Sequence, residues 1–346
     1  MPKKKKEELI KKEEEVKEEP QKITLNLANA LSTIEKQFGK GTITKLNSKD
    51  KVEIEVISTG SMALNNAIGV GGIPQGRIIE IFGQETTGKS TLCLSIISEF
   101  QKTKGIAAFI DAEQVFDVNY AKKLKVNVDD LLFCQPDCGE QGLTVAETLV
   151  ESGEVGLIVI DSVAALTPRA EIEGDIGDSH MGLQARLMSQ AMRKLAATIR
   201  KTNTTIIFTN QLRSKIGVMF GSPWVTCGGN ALKYYSSLRI ELSRVGTVNM
   251  GEEKVASEIK AKIVKNKVAA PYKEAKFEIY FDEGLSRLSD IIMLSLDYKI
   301  LTKSGSWISY DNNNLCQGIE QLRNLLKEDP ILLEDLRTRI VECIKN

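Results

Sequence analysis

The stretch Gly83-Gln84-Glu85-Thr86-Thr87-Gly88-Lys89-Ser90-Thr91 has the G-x-x-x-x-G-K-[ST] spacing of a phosphate loop. Each residue type has a use in that chemistry. Gly83 and Gly88 let the main chain bend around a β-phosphate, Lys89 reaches the β and γ oxygens as a mobile cation, and the Ser90 hydroxyl can ligate Mg²⁺. The flanks supply the rest. Residues 77–82 (RIIEIF) read as a buried strand, and 90–101 as a helix carrying Leu92, Leu94, Ile96, Ile97 and Phe100. A strand that stops at a glycine turn and opens into a helix aims several N–H groups, and the positive end of the helix dipole, at one point. That point suits phosphate.

Beyond the loop helix, apolar strand-like runs at 106–110, 131–133, 157–160 and 205–209 alternate with helical ones. Such alternation implies an α/β fold with a mainly parallel central sheet, helices on both faces, and ligands at the carboxyl ends of the strands. Three of those ends carry polar residues. Asp111-Ala112-Glu113 closes the first run, where a carboxylate beside the loop can polarise water for attack on a γ-phosphate; helix capping or a salt bridge is the plainer alternative. Asp161 closes LIVID, the form of a Walker B strand, whose terminal carboxylate faces Mg²⁺ directly or through water. Asn210-Gln211 closes TTIIFT, where an uncharged amide can sense the γ-phosphate or merely cap local backbone.

Two glycine-rich stretches follow the last two ends. Residues 171–178 lead into Met181 and a helix whose Arg186 and Arg193, at i and i+7, share a face. Residues 213–230, from Arg213 to Asn230, form a long segment with apolar and aromatic residues but little period. Segments that long inside compact domains tend to be functional or disordered. Cations, glycines and bulky apolar groups together fit a nucleic-acid strand, with Arg on phosphates and Ile, Met or Phe between bases. A substrate lid is the competing reading.

Composition narrows the field. The 346 residues, 42% hydrophobic, suffice for a large core and a smaller domain, and 46 Lys+Arg balance 46 Asp+Glu, so any polyanion site is local. His180 is the only histidine, which excludes His-based triads and multi-histidine metal sites. The six cysteines have no partners at zinc spacing and read as reduced thiols. With only strand-sized apolar runs and no secretory signal, the expected location is the cytoplasm, with no membrane partner. Residues 1–22 read as a charged disordered tail. Within 23–50, Leu27, Leu31, Ile34 and Phe38 recur at helical spacing, so the helix they form either folds back or packs on a neighbouring subunit. Further strands are expected at 233–242 and 255–264, the latter followed by Lys265 and Lys267. The phosphate-loop core is expected to span 51–286, and 287–346 reads as a small α/β C-terminal domain with two helices split at Pro330.

At this point the residues resemble the bacterial RecA recombinase family. IEKQFGKG (34–41), STGS (58–61), IDAE (110–113), VIDSVAALTP (159–168), EIEGDIGDSHMGLQARLMSQAMRKLA (171–196), KIGVMFG (215–221), GGNALK (228–233) and VKNKVAAP (264–271) match with few gaps. The 171–196 stretch is far more specific than any ATPase motif. The resemblance implies a RecA-type P-loop core with an N-terminal helical oligomerisation element, ATP and Mg²⁺ as cofactors, and a DNA-dependent ATPase that polymerises on single-stranded DNA. Pairing with homologous duplex and strand exchange would follow. It implies that Lys89 and Ser90 hold phosphate and Mg²⁺, Glu113 activates water, Asp161 is the Walker B carboxylate, Gln211 senses the γ-phosphate and Tyr120 stacks on adenine. Lys265 and Lys267 would act in trans on ATP held by the adjacent protomer. Loops 171–182 and 212–226 look like the family's DNA-binding loops, with Met181, Ser189, Arg193, Ser214, Ile216, Gly228, Gly229 and Asn230 at matching contact positions. Double-stranded DNA, further copies of the chain in a helical homopolymer and a LexA-type repressor are the implied partners.

Gln84 and Thr86-Thr87 depart from the more familiar proline and serines, at positions where backbone N–H groups do most of the binding. Gln114 and Val118 depart from the commoner IDAEHALDP run, which bears on the adenine pocket. Ending at Asn346 without an acidic tail, the chain is expected to admit duplex more easily and to depend less on Mg²⁺. Two rival functions share parts of this pattern. A hexameric RecA-fold helicase would form closed rings, and a non-enzymatic recombination mediator would tolerate loss of Glu113.

Overall fold

The computed structural model describes residues 25–39, 42–43, 54–214, 224–311 and 313–345. They fall into two units, 1–53 and 54–346. In the first, Leu25–Phe38 form one helix, as the spacing predicts, closed by Gly39 with its N–H on the Glu35 carbonyl and φ +97°.

The second unit carries strands β1 (Val56–Ile57), β2 (Ile73–Pro74), β3 (Ile78–Gly83), β4 (Ile106–Asp111), β5 (Leu131–Cys134), β6 (Val155–Asp161), β7 (Thr205–Ser214), β8 (Trp224–Thr226), β9 (Leu238–Met250), β10 (Glu253–Asn266), β11 (Glu274–Tyr280), β12 (Gly284–Leu285), β13 (Leu301–Ser304), β14 (Trp307–Tyr310) and β15 (Asn313–Gln317). The main sheet runs β12-β11-β10-β9-β3-β7-β6-β4-β5, with β8 pairing β7 off that path. From β5 to β9 every neighbour is parallel; β10, β11 and β12 add on antiparallel. The fold is therefore α/β with a mainly parallel sheet. Strands buried on both faces read as unbroken apolar runs, which is why IIEIFG and LIVID stood out in sequence. Ile79 and Ile81 of β3 pack under the loop helix Lys89–Gln101 with Leu92, Ile96 and Ile97. Ile78 shares the opposite core with Phe208, Ile158 and Ile160, covered by helices Gly139–Ser152 and Leu183–Thr202.

Two strand expectations are corrected. The run at 205–209 continues to Ser214, because Leu212, Arg213 and Ser214 pair antiparallel with Thr226, Val225 and Trp224. Asn210 and Gln211 therefore lie inside a strand instead of ending one, and the segment from 212 to 226 begins and ends as a two-stranded ribbon. The strand expected at 233–242 starts only at Leu238, since Asn230 opens a short helix, Ala231–Tyr235, first. Its partner β10 runs through Asn266, so Lys265 is in the ladder, opposite Arg239.

Residues 287–345 build a third core from Ile292, Leu301, Ile308, Leu322, Leu336 and Ile340, and Met62 and Ala63 of the core domain pack against it. Pro330 opens the last helix, where its missing N–H costs nothing. Asn312 lies outside the described residues. One buried carboxylate ties this part to the main core. Asp290 accepts from the Ser61 hydroxyl at 3.0 Å and from the Met62 and Ala63 amides at 2.5 and 3.3 Å, capping helix Met62–Ile68. Asp290→Ala leaves those donors unpaired and is expected to lower stability by about 1–3 kcal/mol, read as a shifted denaturant midpoint.

Candidate nucleotide site and DNA-facing segments

Register brings the polar strand ends to one edge. Gly83 pairs with Gln211, and Asp111 with Asp161. Between this edge and β10–β11 lies a cleft of about 500 Å³ lined by Glu85 to Thr91, Glu113, Tyr120, Asp161 and Gln211, with Ser257, Ile259, Ile279 and Phe281 opposite.

The loop is shaped to hold an anion. Thr86 and Gly88 are left-handed, at φ +58° and +79°, a main-chain turn that gathers N–H groups into a concave nest. A Cβ on Gly88 would lie 2.3 Å from Ile279 Cδ1, and one on Gly83 2.3 Å from the Leu242 carbonyl, so both positions require glycine. The Lys89 ammonium donates to the carbonyls of Gln84 at 2.8 Å and Gly83 at 3.3 Å. Burial pulls its pKa below the ordinary lysine value, while Asp161, Glu113 and Glu85 pull it back up. The cradle and the cation fit a triphosphate.

Asp161 ends β6 with both oxygens engaged: Ser90 donates to Oδ2 at 2.6 Å and the buried Thr209 hydroxyl to Oδ1. Burial raises the Asp161 pKa, the two hydroxyls lower it, and Glu113 and Asp111 raise it again. A carboxylate beside a hydroxyl is the hard-oxygen donor set Mg²⁺ prefers when phosphates complete its shell. Among the described residues no cluster of three or more His, Cys, Asp or Glu side chains is placed to cage a metal.

Of the two acids in Asp111-Ala112-Glu113, Asp111 is committed to structure, accepting from the Phe116 amide and from Gln135 at 3.0 Å each. Glu113 is exposed to the cleft and accepts from Gln211 Nε2 at 3.1 Å. The two amides of Asn210-Gln211 also divide. Gln211 faces Glu113, whereas Asn210 is fully buried and bonded away from the cleft. Tyr120 lines the cleft with its hydroxyl 3.1 Å from Thr91.

The DNA-facing candidates gather next to this edge. Helix Leu183–Thr202 presents Arg186 and Arg193 exposed, while Ser189 bonds the Ala185 carbonyl at 2.7 Å. Met181, just before the helix, is 87% exposed. Arg213 and Ser214 lie exposed on the β7–β8 ribbon. Gly228 and Gly229 have φ +79° and +75°, and a Cβ would approach Val163 to 2.7 Å and Ala185 to 2.8 Å respectively. The second stretch is thus seated against both the residues after Asp161 and the start of the helix that follows the first. Asn230 opens helix Ala231–Tyr235. Ile216 lies outside the described residues.

Lys265 and Lys267 are not in the cleft. Lys265 pairs with Arg239 and Asn266 with Leu238, which is level with Ile79 near the amino end of β3. From there to Gly83 is about 13 Å along the strand. The Lys265 ammonium donates to the Lys233 and Tyr234 carbonyls at 2.7 and 2.9 Å, and Lys267 lines a hollow with Arg77, Arg200 and Tyr234.

Sequence reasoning missed Thr209 and a buried ion pair, Glu80–Arg239, on neighbouring strands. The available signal was a charge set within each of two apolar runs, Glu80 in IIEIF and Arg239 in LRI. A buried charge demands a partner, but the pattern does not say which.

The cleft is equipped to bind a nucleoside triphosphate through main-chain amides and brings an acid, Glu113, and an amide, Gln211, to its end, and that makes the chain a phosphate-loop ATPase. Comparison with known proteins is more specific. Residues 25–286 match the RecA N-terminal domain and residues 289–345 the RecA C-terminal domain. Protein RecA of Geobacter metallireducens is 55% identical over 314 residues, 90% of this chain and 93% of that one. Protein RecA of Syntrophus aciditrophicus is 54% identical over 318 residues, 92% of each. The chain belongs to the RecA family, and is a DNA-dependent ATPase that uses ATP with Mg²⁺, forms filaments on single-stranded DNA and catalyses homologous pairing and strand exchange in recombinational repair. No helix among the described residues is long and apolar enough to cross a membrane.

Proposed function

We propose a division of labour among the residues of this cleft. The loop amides of 83–91 and Lys89 grip the triphosphate. Ser90 and Asp161 would hold Mg²⁺, which when bound neutralises charge at the β and γ oxygens. Tyr120 stacks on the base. Glu113 takes the proton of the attacking water, and Gln211 orients that acid and reports on the γ-phosphate. The observation that carries this reading is the Gln211–Glu113 hydrogen bond, because Gln211 sits on the strand that continues into the ribbon at 212–226. Met181, Arg186, Ser189, Arg193, Arg213, Ser214, Ile216, Gly228, Gly229 and Asn230 hold the DNA, with loops 171–182 and 212–226 as its grip. Since Gln211 lies between cleft and ribbon, nucleotide and DNA each raise the other's affinity.

The helix at 25–38 packs on a neighbouring protomer, and 287–346 works as a small C-terminal domain. Lys265 and Lys267, at the far edge of their own sheet, act on the triphosphate of the next protomer. The filament acts in the cytoplasm and promotes self-cleavage of a LexA-type repressor. Electron microscopy with single-stranded DNA and a slowly hydrolysed ATP analogue tests the assembly: open helical fibres are expected, and discrete rings would favour a helicase.

The trans role carries a pH signature. Burial, then the Lys267 and Arg239 cations, lower the Lys265 pKa to about 8. Its charge is present below that value and lost above it, so ATP-dependent assembly weakens as pH rises past about 8, later if a phosphate contact lifts the pKa. The folded protomer behaves oppositely. With a pKa below the ordinary 10.5, it binds fewer protons than the unfolded chain between the two values, and so gains stability as pH rises through that window. Light scattering across this range is expected to show assembly falling, and Lys265→Arg, which stays charged, to flatten the profile.

A further inference from the structure

Asn210 is a buried side chain beside the cleft with its amide fully hydrogen-bonded, and the nucleotide chemistry does not use it. Its amide uses both donors and accepts twice. Nδ2 donates to Glu80 Oε1 at 2.9 Å and to the Cys227 carbonyl at 3.0 Å, while Oδ1 accepts from the Gln211 amide at 2.9 Å and the Cys227 amide at 3.2 Å. The ribbon ladder stops at Leu212 and Thr226. One residue further, the Asn210 side chain takes the place of a strand, pairing with both the N–H and the C=O of Cys227. Cys227 is followed directly by Gly228 and Gly229, whose left-handed backbones seat them on Val163 and Ala185.

The orientation of this amide is itself fixed. Glu80 is fully buried, one oxygen on Asn210 and the other on Arg239, whose guanidinium lies 4.6 Å from the Phe82 ring centroid. A carboxylate held by a guanidinium on one side can only accept on the other, so Asn210 must present Nδ2 to it and Oδ1 to the two amides. The flip that would exchange the two atoms is excluded.

We propose that Asn210 is the positioning residue that couples the triphosphate sensor to the DNA grip, with the Glu80–Arg239 pair setting its amide. Gln211 and Cys227 are joined through one oxygen atom. A shift of the Gln211 main chain that follows the γ-phosphate therefore moves the turn carrying Gly228 and Gly229 directly. The proposal rests on the roles given above to Gln211 and to Gly228 and Gly229. It adds the mechanical link between them.

The test uses the full chain as wild type, Asn210→Ala and Asn210→Ser, each checked for folding by circular dichroism. Two quantities are measured. One is the factor by which a slowly hydrolysed ATP analogue raises affinity for a labelled oligodeoxythymidylate; the other is affinity for a fluorescent ATP analogue without DNA. In Asn210→Ala the first is expected to fall about tenfold while the second stays within about twofold. Asn210→Ser keeps one hydroxyl for Cys227 and is expected to fall between, and it decides the matter if the alanine variant does not fold. An unchanged coupling factor in either folded variant overturns the proposal, even with reduced thermal stability, because stability loss alone is what a merely structural amide would show. If nucleotide fails to raise oligonucleotide affinity in the wild type, the assignment of cleft and loops fails instead, so the two failures are distinguishable.

Discussion

Glu113→Gln is expected to keep ATP binding and filament assembly while losing hydrolysis by about 10²–10⁴-fold, or roughly 3–5 kcal/mol of barrier. The geometry explains why the loss is selective. A glutamine at 113 still offers an oxygen to Gln211 Nε2, so the 3.1 Å contact survives and Gln211 keeps its partner. The proposed phosphate grip, made by loop amides and Lys89, is untouched. Only the capacity to take a proton from water disappears. Turnover with saturating single-stranded DNA, measured beside nucleotide affinity and electron micrographs of the filaments, checks all three. Unchanged turnover would refute the general-base assignment.

Lys89→Ala is expected to act one step earlier, on binding itself. The ammonium reaches across the loop to Gln84 and Gly83, in a site that burial has partly stripped of water. Removing a cation from a desolvated contact with phosphate costs about 2–5 kcal/mol, so nucleotide affinity falls by roughly 30-fold to several thousand-fold. DNA-stimulated turnover and ATP-dependent assembly fall with it. The two substitutions therefore separate the functions of neighbouring side chains: Glu113→Gln gives filaments that persist, Lys89→Ala gives few filaments at all. Titration with a fluorescent ATP analogue distinguishes them, and wild-type affinity in Lys89→Ala would contradict the reading of the loop.

The core of this site was legible in the amino-acid order because its parts are local. Nine consecutive residues make the phosphate loop, and the strand and helix that aim it are its immediate neighbours. Asp161 and Glu113 were marked by their place at the end of apolar runs, since a strand buried on both faces has few other positions for a carboxylate. The parallel α/β architecture followed from the alternation of those runs with helical ones. All of this is information carried within short windows, where backbone geometry repeats.

What the sequence left open is long-range. The ion pair Glu80–Arg239 joins residues 159 apart, and the bond from Ser61 to Asp290 spans 229. A lone charge in an apolar strand announces that it needs a counterpart, but sheet order decides which strand provides it. The same holds for Asn210. Beside Gln211 in the chain, it read as an equivalent amide, yet successive strand residues face opposite sides, and that alternation sent one into the cleft and the other into the packed interior. The extension of β7 to Ser214 depended on β8 supplying partners, and the placement of Lys265 far from the loop depended on β10 running antiparallel beside β9. Local pattern determined which chemistry this protein carries; only the pairing of distant strands decided which side chains meet to perform it.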